Sequence, residues 1–314
     1  MRKRISRLTA ETLPWWLRLF GVLIGASVEA ARHEPDRFCG TPMSEILGAR
    51  SLTEIAYMAL IGDAPEPARV LAFQTLIGLM LSNGPGTISA QGAKGAVSAD
   101  GPESPDRVQL NKALVGFLTH TGYTHGGNGY EGIAFLIEQF EGTDLDDPGD
   151  PAHGIDVAAL AARCAADYAR DKADRKSGGL DTRRIPGVNH PVFKGKPVNY
   201  DPREVFVDDL FTKRGEYNIF HEFYQTLVQA LFEAGVSRNV YCVNIDAVIA
   251  ALLLKMLWRP YRRGSLPKEA LETAAFTIFL YARMLGCAAE IDDHLNRGRN
   301  MDTRTPASEC RFAA

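Results

Sequence analysis

The sequence has no CxxC pair, no GxxxxGK(S/T) phosphate loop and no excess of one charge. Nor is its apolar N-terminal stretch the uninterrupted run of about twenty residues that a membrane span needs. The five cysteines are Cys39, Cys164, Cys242, Cys287 and Cys310, odd in number and far apart. That argues against a disulfide framework or a structural zinc site and points to a reducing cytoplasm. Lys and Arg number 35 against 38 Asp and Glu, for a net charge of -3. Nothing global therefore marks the chain for nucleic acid or an anionic membrane. Alternating strands of convincing length are missing as well, so the expected fold is all-α. The start is basic, Met1-Arg2-Lys3-Arg4, and Leu17 to Val28 is largely apolar, as in a signal peptide. Arg18 interrupts that run, and the better reading is a packed helix beginning near Pro14.

What is present is apolar residue at helical spacing. Of the 314 residues, 46% are hydrophobic, enough to bury a large core, and the length predicts about two domains. Ser51-Leu52-Thr53-Glu54 reads as a capping box, and Ile55, Met58 and Ala59 follow it at helical spacing. Further helices are expected over about 68–81, 88–99, 106–119, 129–140, 155–174, 215–235, 239–258 and 267–296. The 88–99 helix is mostly Gly, Ala and Ser. Such a helix can pack its backbone close to another helix or a ligand. Residues 175–203 are the least periodic, rich in Gly, Pro and basic side chains.

Three places place polar residues where they are costly or reactive. In Thr124-His125-Gly126-Gly127-Asn128-Gly129 a histidine precedes two glycines and a helix start. It reads either as a hydrogen-bond donor to a developing oxyanion or as a capped turn. Pro186-Gly187-Val188-Asn189-His190 runs through Lys194 and Lys196 to Asp201-Pro202-Arg203. It reads either as a rigid anion-binding loop or as a solvated basic one. Asp246 lies inside the apolar run from Val240 to Leu254. It reads either as a partly desolvated general base or as a helix cap.

The order His-Gly-Gly, then Gly-x-x-His with Asp-Pro-Arg, then Asn244-Ile245-Asp246, then Ala282-Arg283-Met284-Leu285-Gly286 resembles the citrate synthase superfamily. That superfamily includes citryl-CoA lyases and the citrate-synthase-like module of ATP-citrate lyase. The likeness covers about residues 51–310, and Ser51 to Asp63 resembles its early segment. It implies a large helical domain and a small one with the active site in the cleft between them. The boundaries it implies are 1–126 for the first part of the large domain, 127–250 for the small domain and 251–314 for the return.

The resemblance also implies roles. Asp246 removes the α-proton of an acyl-CoA. His125 hydrogen-bonds the thioester oxygen, and His190 polarises the keto group of a 2-oxo acid. Arg203, Arg283 and Arg304 bind substrate carboxylates. Pro186, Gly187, Val188, Asn189, Lys194 and Lys196 contribute to a coenzyme A site. No tightly bound cofactor and no metal are expected, because the CoA thioester is a substrate. The implied assembly is a homodimer or a larger homo-oligomer; with no nucleotide-activating phosphate loop, coupling to ATP would make the chain either one subunit beside a separate CoA-ligase-like subunit or one module of a larger enzyme.

Two departures lean toward the lyase-like branch. Gly84 in Asn83-Gly84-Pro85 stands where the family has a further histidine, and Pro191 follows His190 in place of arginine. The loss at Gly84 also motivates an alternative, a non-catalytic CoA- or carboxylate-binding or assembly module of a larger citrate-lyase-type complex. Glu290 with His294, and His120 with His125, have spacings a metal could use, but both pairs read better as ordinary side chains. Arg259, Arg262 and Arg263 read as a helix C-terminus, and His153 and His221 as surface or packing residues.

Overall fold

The capping box forms as its spacing predicts. Glu54 N donates to Ser51 Oγ at 3.2 Å, and Ser51 N donates to Glu54 Oε2 at 2.8 Å. Two backbone donors at a helix start are thereby satisfied reciprocally, and the helix runs Leu52–Ile61.

The structure is a computed structural model that describes residues 37–61, 65–81, 87–98, 110–122, 129–181, 183–189 and 200–296. A two-residue hairpin opens it, β1 (Arg37–Phe38) with β2 (Thr41–Pro42). Then come α1 (Met43–Ala49), α2 (Leu52–Ile61), α3 (Pro67–Met80), α4 (Ile88–Ser98), α5 (Leu110–Thr119) and α6 (Tyr130–Phe140). They are followed by α7 (Val157–Ser177), α8 (Pro202–Lys213), α9 (Ile219–Glu233), α10 (Ile245–Arg262) and α11 (Lys268–Asn296). The described residues are mostly helical with almost no strand, so the all-α expectation holds. The helix expected from Pro14 lies outside the described residues.

The helices group into two compact units, one of 1–76 with 129–275 and one of 77–128 with 276–314. In the first, α6, α9 and α10 share an aromatic core. Phe140 meets Phe220 edge-on at 5.0 Å between ring centroids, and Phe220 meets Trp258 at 5.3 Å. The Trp258 indole N–H donates to Leu145 O at 3.0 Å, so the one polar atom of that ring is satisfied in the core. In the second unit α4 and α5 touch backbone to backbone. A Cβ on Gly92 would lie 2.5 Å from Gly116 O, and one on Gly116 would lie 2.4 Å from Gly92 O. The small-residue composition of 88–99 thus serves helix packing. The stretch Lys268–Ala288 of α11 is apolar and long enough to cross a bilayer, yet 65% of it is buried within the protein, the pattern of a core helix.

α8 was not expected. Its N-cap is Asp201, with Pro202 in the first helical position, where its fixed φ and missing N–H suit a helix start. The start of α10 also differs. The apolar run begins at Val240, but the helix begins at Ile245 and Asn244 caps it, accepting from Asp246 N at 3.2 Å. The cap reading of Asp246 is therefore overturned. Among Arg259, Arg262 and Arg263, the first two reach across to the end of α6 and the loop after it. Arg259 Nη2 donates to Asp147 at 3.1 Å and Arg262 Nη1 to Glu141 O at 2.8 Å.

Candidate active site

A short backbone ladder builds the site. Asn189 N donates to Cys242 O at 2.8 Å, and Asn244 N donates to Gly187 O at 2.8 Å. Val188 and Val243 pair as an antiparallel bridge between these bonds. The Asn244 side chain completes the lock, its Nδ2 donating to Asn189 O at 3.1 Å. One asparagine thus caps α10 and ties the cap to the 186–189 loop. Gly187 sits at φ +74 with its Cα against Ala247, so the loop lies directly on the first turn of α10.

That juxtaposition makes an open cavity of about 550 Å³ within the first unit. Pro186, Gly187, Val188, Asn189 and Asp246 all line it, with Asn244, Ile185, Arg184, Glu131, Tyr168 and Tyr241. Its size is in the usual range for a small-ligand site, about 300–1,000 Å³. Asp246 stands half-buried in the first turn of α10, where the helix N-terminus favours negative charge.

Arg184, Glu131, Tyr168 and Tyr241 were not foreseen. Arg184 and Glu131 are exposed, and neither makes a hydrogen bond or ion pair with a described residue. Tyr168 Oη donates to Arg183 O at 2.8 Å, which anchors the chain next to Arg184. Burial, with Tyr241 and Asp171 nearby, pushes the Tyr168 hydroxyl up from its usual range.

Arg203 lies in the first turn of α8, and its Nε and Nη2 both donate to the Asp201 carboxylate, at 3.0 and 2.7 Å. Asp201 is fully buried. Burial alone pushes its carboxyl up, but Arg203 and the backbone N–H of Ile245 outweigh that and hold it below the ordinary 3.8. This one carboxylate therefore joins the starts of α8 and α10. Its folded value is below its unfolded one, so its contribution is complete above about pH 4 and is lost as the pH falls through the folded value. The Asp201→Asn variant is expected to be less stable than wild type by about 1–3 kcal/mol at neutral pH. The gap should close in acid, as followed by urea denaturation at a series of pH values. A constant gap would show that the ion pair does not carry it.

Of the other expected positions, one lies in the second unit and the rest outside the described residues. Arg283 is buried in α11, in the second unit, with its guanidinium 5.2 Å from the centre of the Phe279 ring. His125, His190, Lys194, Lys196, Arg304 and Gly84 lie outside the described residues, as do the side chains of Glu290 and His294. His120 Nδ1 is 2.8 Å from Gly116 O, and no metal-holding cluster occurs among the described residues. His153 stacks on Tyr217, and His221 Nε2 is 2.9 Å from Glu204 Oε1, so both are packing residues.

No protein-family profile matches the sequence, and no curated protein matches it either. Solved structures do. Citryl-CoA lyase from Hydrogenobacter thermophilus superposes with a TM-score of 0.61 at 16% identity, over 88% of this chain and 89% of its own. ATP citrate lyase from Methanothrix soehngenii, in complex with citrate and coenzyme A, gives 0.59 at 17% identity. A mutant ATP citrate lyase from Methanosaeta concilii, in complex with (3S)-citryl-CoA, gives 0.57 at 16%. Each ATP citrate lyase match covers 91% of this chain but 43% of the longer one.

Proposed function

We propose that this chain, which carries the fold of the citrate synthase superfamily, forms or cleaves a carbon–carbon bond between an acyl-CoA and a 2-oxo acid. The lyase-like branch is the preferred reading. The observation that carries the proposal is the shared cavity: Asp246 and the 186–189 loop line one space. A thioester held along that loop presents its α-carbon to Asp246.

The chemistry fits the residues. A thioester α-proton is weakly acidic, so its removal needs a placed base and a stabilised oxyanion. Asp246 takes the proton, and His125 hydrogen-bonds the thioester oxygen as it becomes an enolate. The enolate carbon attacks the keto carbon of the acceptor, which His190 polarises. The alkoxide that forms takes a proton from His190. In the cleavage direction His190 takes that hydroxyl proton back as the carbon–carbon bond breaks to release the 2-oxo acid, and Asp246, entering protonated, gives its proton to the enolate carbon. Coenzyme A enters and leaves as substrate, and no resident cofactor is invoked. Arg184, exposed at the cavity without a described partner, suits the anionic groups of such a substrate.

Two further assignments belong to the same reading. A reducing cytoplasm is assigned from the sequence, whose five cysteines are odd in number and far apart. Val115 and Leu118, exposed on one face of α5, support association into a homodimer or larger homo-oligomer. The chain spans under half of the ATP citrate lyases it matches.

The test is proton exchange. Acetyl-CoA and propionyl-CoA are incubated with the protein in D₂O, with and without oxaloacetate, and citryl-CoA is tested in parallel. Deuterium at the α-position, or splitting of citryl-CoA, is the expected NMR result. Binding of CoA by the folded protein with neither reaction would replace the enzyme by a CoA-binding module.

A further inference from the structure

The backbone that leads into the 186–189 loop is held on both sides of Arg184. Before it, Arg183 O accepts from Tyr168 Oη of α7 at 2.8 Å. After it, Ile185 O accepts from Val188 N at 3.4 Å and closes a turn. The Arg184 side chain itself is exposed and lines the cavity, and it makes no hydrogen bond or ion pair with a described residue. Other cations of the first unit are engaged. On α7, Arg170 pairs with Asp167, and Arg175 Nε donates to Asp171 at 3.0 Å. Lys172 Nζ donates to Val236 O at 3.0 Å, and Arg203 is taken by Asp201. Arg184 is thus the one cation among the described residues that line the cavity. An unpaired guanidinium on a fixed backbone is preorganised for an anion, because the chain that carries it is ordered before the ligand arrives.

A guanidinium presents parallel N–H donors that match either a phosphate or a carboxylate. Depth tells the two apart here. Asp246 is half-buried and Arg184 is exposed, so a ligand that meets both runs outward from Asp246. The carboxylates of a 2-oxo acid flank the carbon that reacts and stay beside it. The phosphates of coenzyme A lie at the far end of the pantetheine arm. The cavity also carries two acids, Glu131 and Asp246, which repel an anion everywhere except beside Arg184.

We infer that Arg184 binds a phosphate group of the CoA carrier, and that Tyr168 is a positioning residue for it, acting through the bond to Arg183 O. The inference deepens the reading of this cavity as an acyl-CoA site and rests on it. Arg184 then decides which carrier is accepted: a CoA thioester is held at both ends, whereas a bare pantetheine thioester loses the outer contact.

Calorimetric titration with CoA, 3′-dephospho-CoA and pantetheine tests it. Arg184→Gln is expected to lower CoA affinity about tenfold and to leave pantetheine affinity unchanged. The melting temperature should not move, because the side chain is exposed, and the loss should shrink as salt is raised. A loss confined to CoA assigns the 3′-phosphate, and a loss shared by 3′-dephospho-CoA assigns the diphosphate; either supports the inference. Unchanged CoA affinity overturns it, even where α-proton exchange persists. An equal loss for pantetheine overturns it too, as does a wild type that binds no CoA. A loss seen only for oxaloacetate also overturns it and gives Arg184 to the acceptor's carboxylate. Tyr168→Phe should weaken CoA binding about threefold in the wild-type background and leave it unchanged in Arg184→Gln, because it acts through that residue. The same loss in both backgrounds overturns the positioning role. In the exchange assay both single variants should raise KM for acetyl-CoA with kcat near that of wild type. A protein that binds CoA through Arg184 yet exchanges no α-proton sinks the enzymatic reading and leaves this inference standing.

Discussion

Asp246→Asn is expected to lower α-proton exchange from acetyl-CoA by a factor of about 10²–10⁴, the usual contribution of a positioned base. Stability should barely change. The carboxylate lies in the first turn of α10, where a negative charge is worth about 0.3–1 kcal/mol through the helix dipole. The cap itself belongs to Asn244, which the substitution does not touch. Binding should survive as well, because the loop is held by Asn244 and Cys242, not by the Asp246 side chain. The expected signature is therefore a large fall in rate with near-normal melting and near-normal CoA affinity, read by NMR, calorimetry and titration. Retained exchange in this variant would remove Asp246 from the chemistry.

The parts of this structure that were legible in the sequence are those in which the signal is local. The Ser51–Glu54 box states a helix start in four residues, and the structure forms it bond for bond. α8 carries no such apolar stripe. Val207 and Phe211 are buried but so is Glu204, while the apolar Val205 and Phe206 face outward. Its start signal, Asp201-Pro202, doubles as part of the charged Asp-Pro-Arg motif. The run from Val240 misled for a different reason. Apolar composition measures burial, and Cys242 and Val243 are buried, Val243 as the bridge partner of Val188, before the helix begins.

The site follows the same division. The Pro186–Asn189 loop and Asp246 are far apart in sequence, and no periodicity brings them together; the resemblance did, through the order of short motifs. Arg184, Glu131, Tyr168 and Tyr241 belong to no motif. Tyr168 reads as one more residue of a helix, and Arg184 as half of an Arg-Arg pair. What makes them notable is the cavity, which only the fold defines. Arg203 shows the converse. Its type and place suit a substrate carboxylate, but the fold puts a buried carboxylate two residues away, and Asp201 takes two of its donors.

Gly187→Ala is expected to disable ligand binding and to destabilise the first unit together. Gly187 sits at φ +74, a conformation that costs an L-residue about 1–3 kcal/mol. The added methyl would lie 2.6 Å from Ala247 Cβ, 2.9 Å from its Cα and 3.1 Å from its N. Two of those atoms are backbone in the first turn of α10, so the clash has no flexible side chain to absorb it, and the loop must move off the helix. Doing so stretches the bonds from Asn244 N to Gly187 O and from Asn189 N to Cys242 O, both 2.8 Å. The melting temperature should fall, and CoA affinity should drop about tenfold or more, equivalent to about 1.4 kcal/mol. Adding Ala247→Gly separates the causes. It removes the 2.6 Å contact but neither the backbone contacts nor the positive φ, so rescue should be partial. A full return of affinity in the double variant would mean that the methyl–methyl clash alone matters. Wild-type affinity in the single variant would mean that the 186–189 loop is no part of the ligand site.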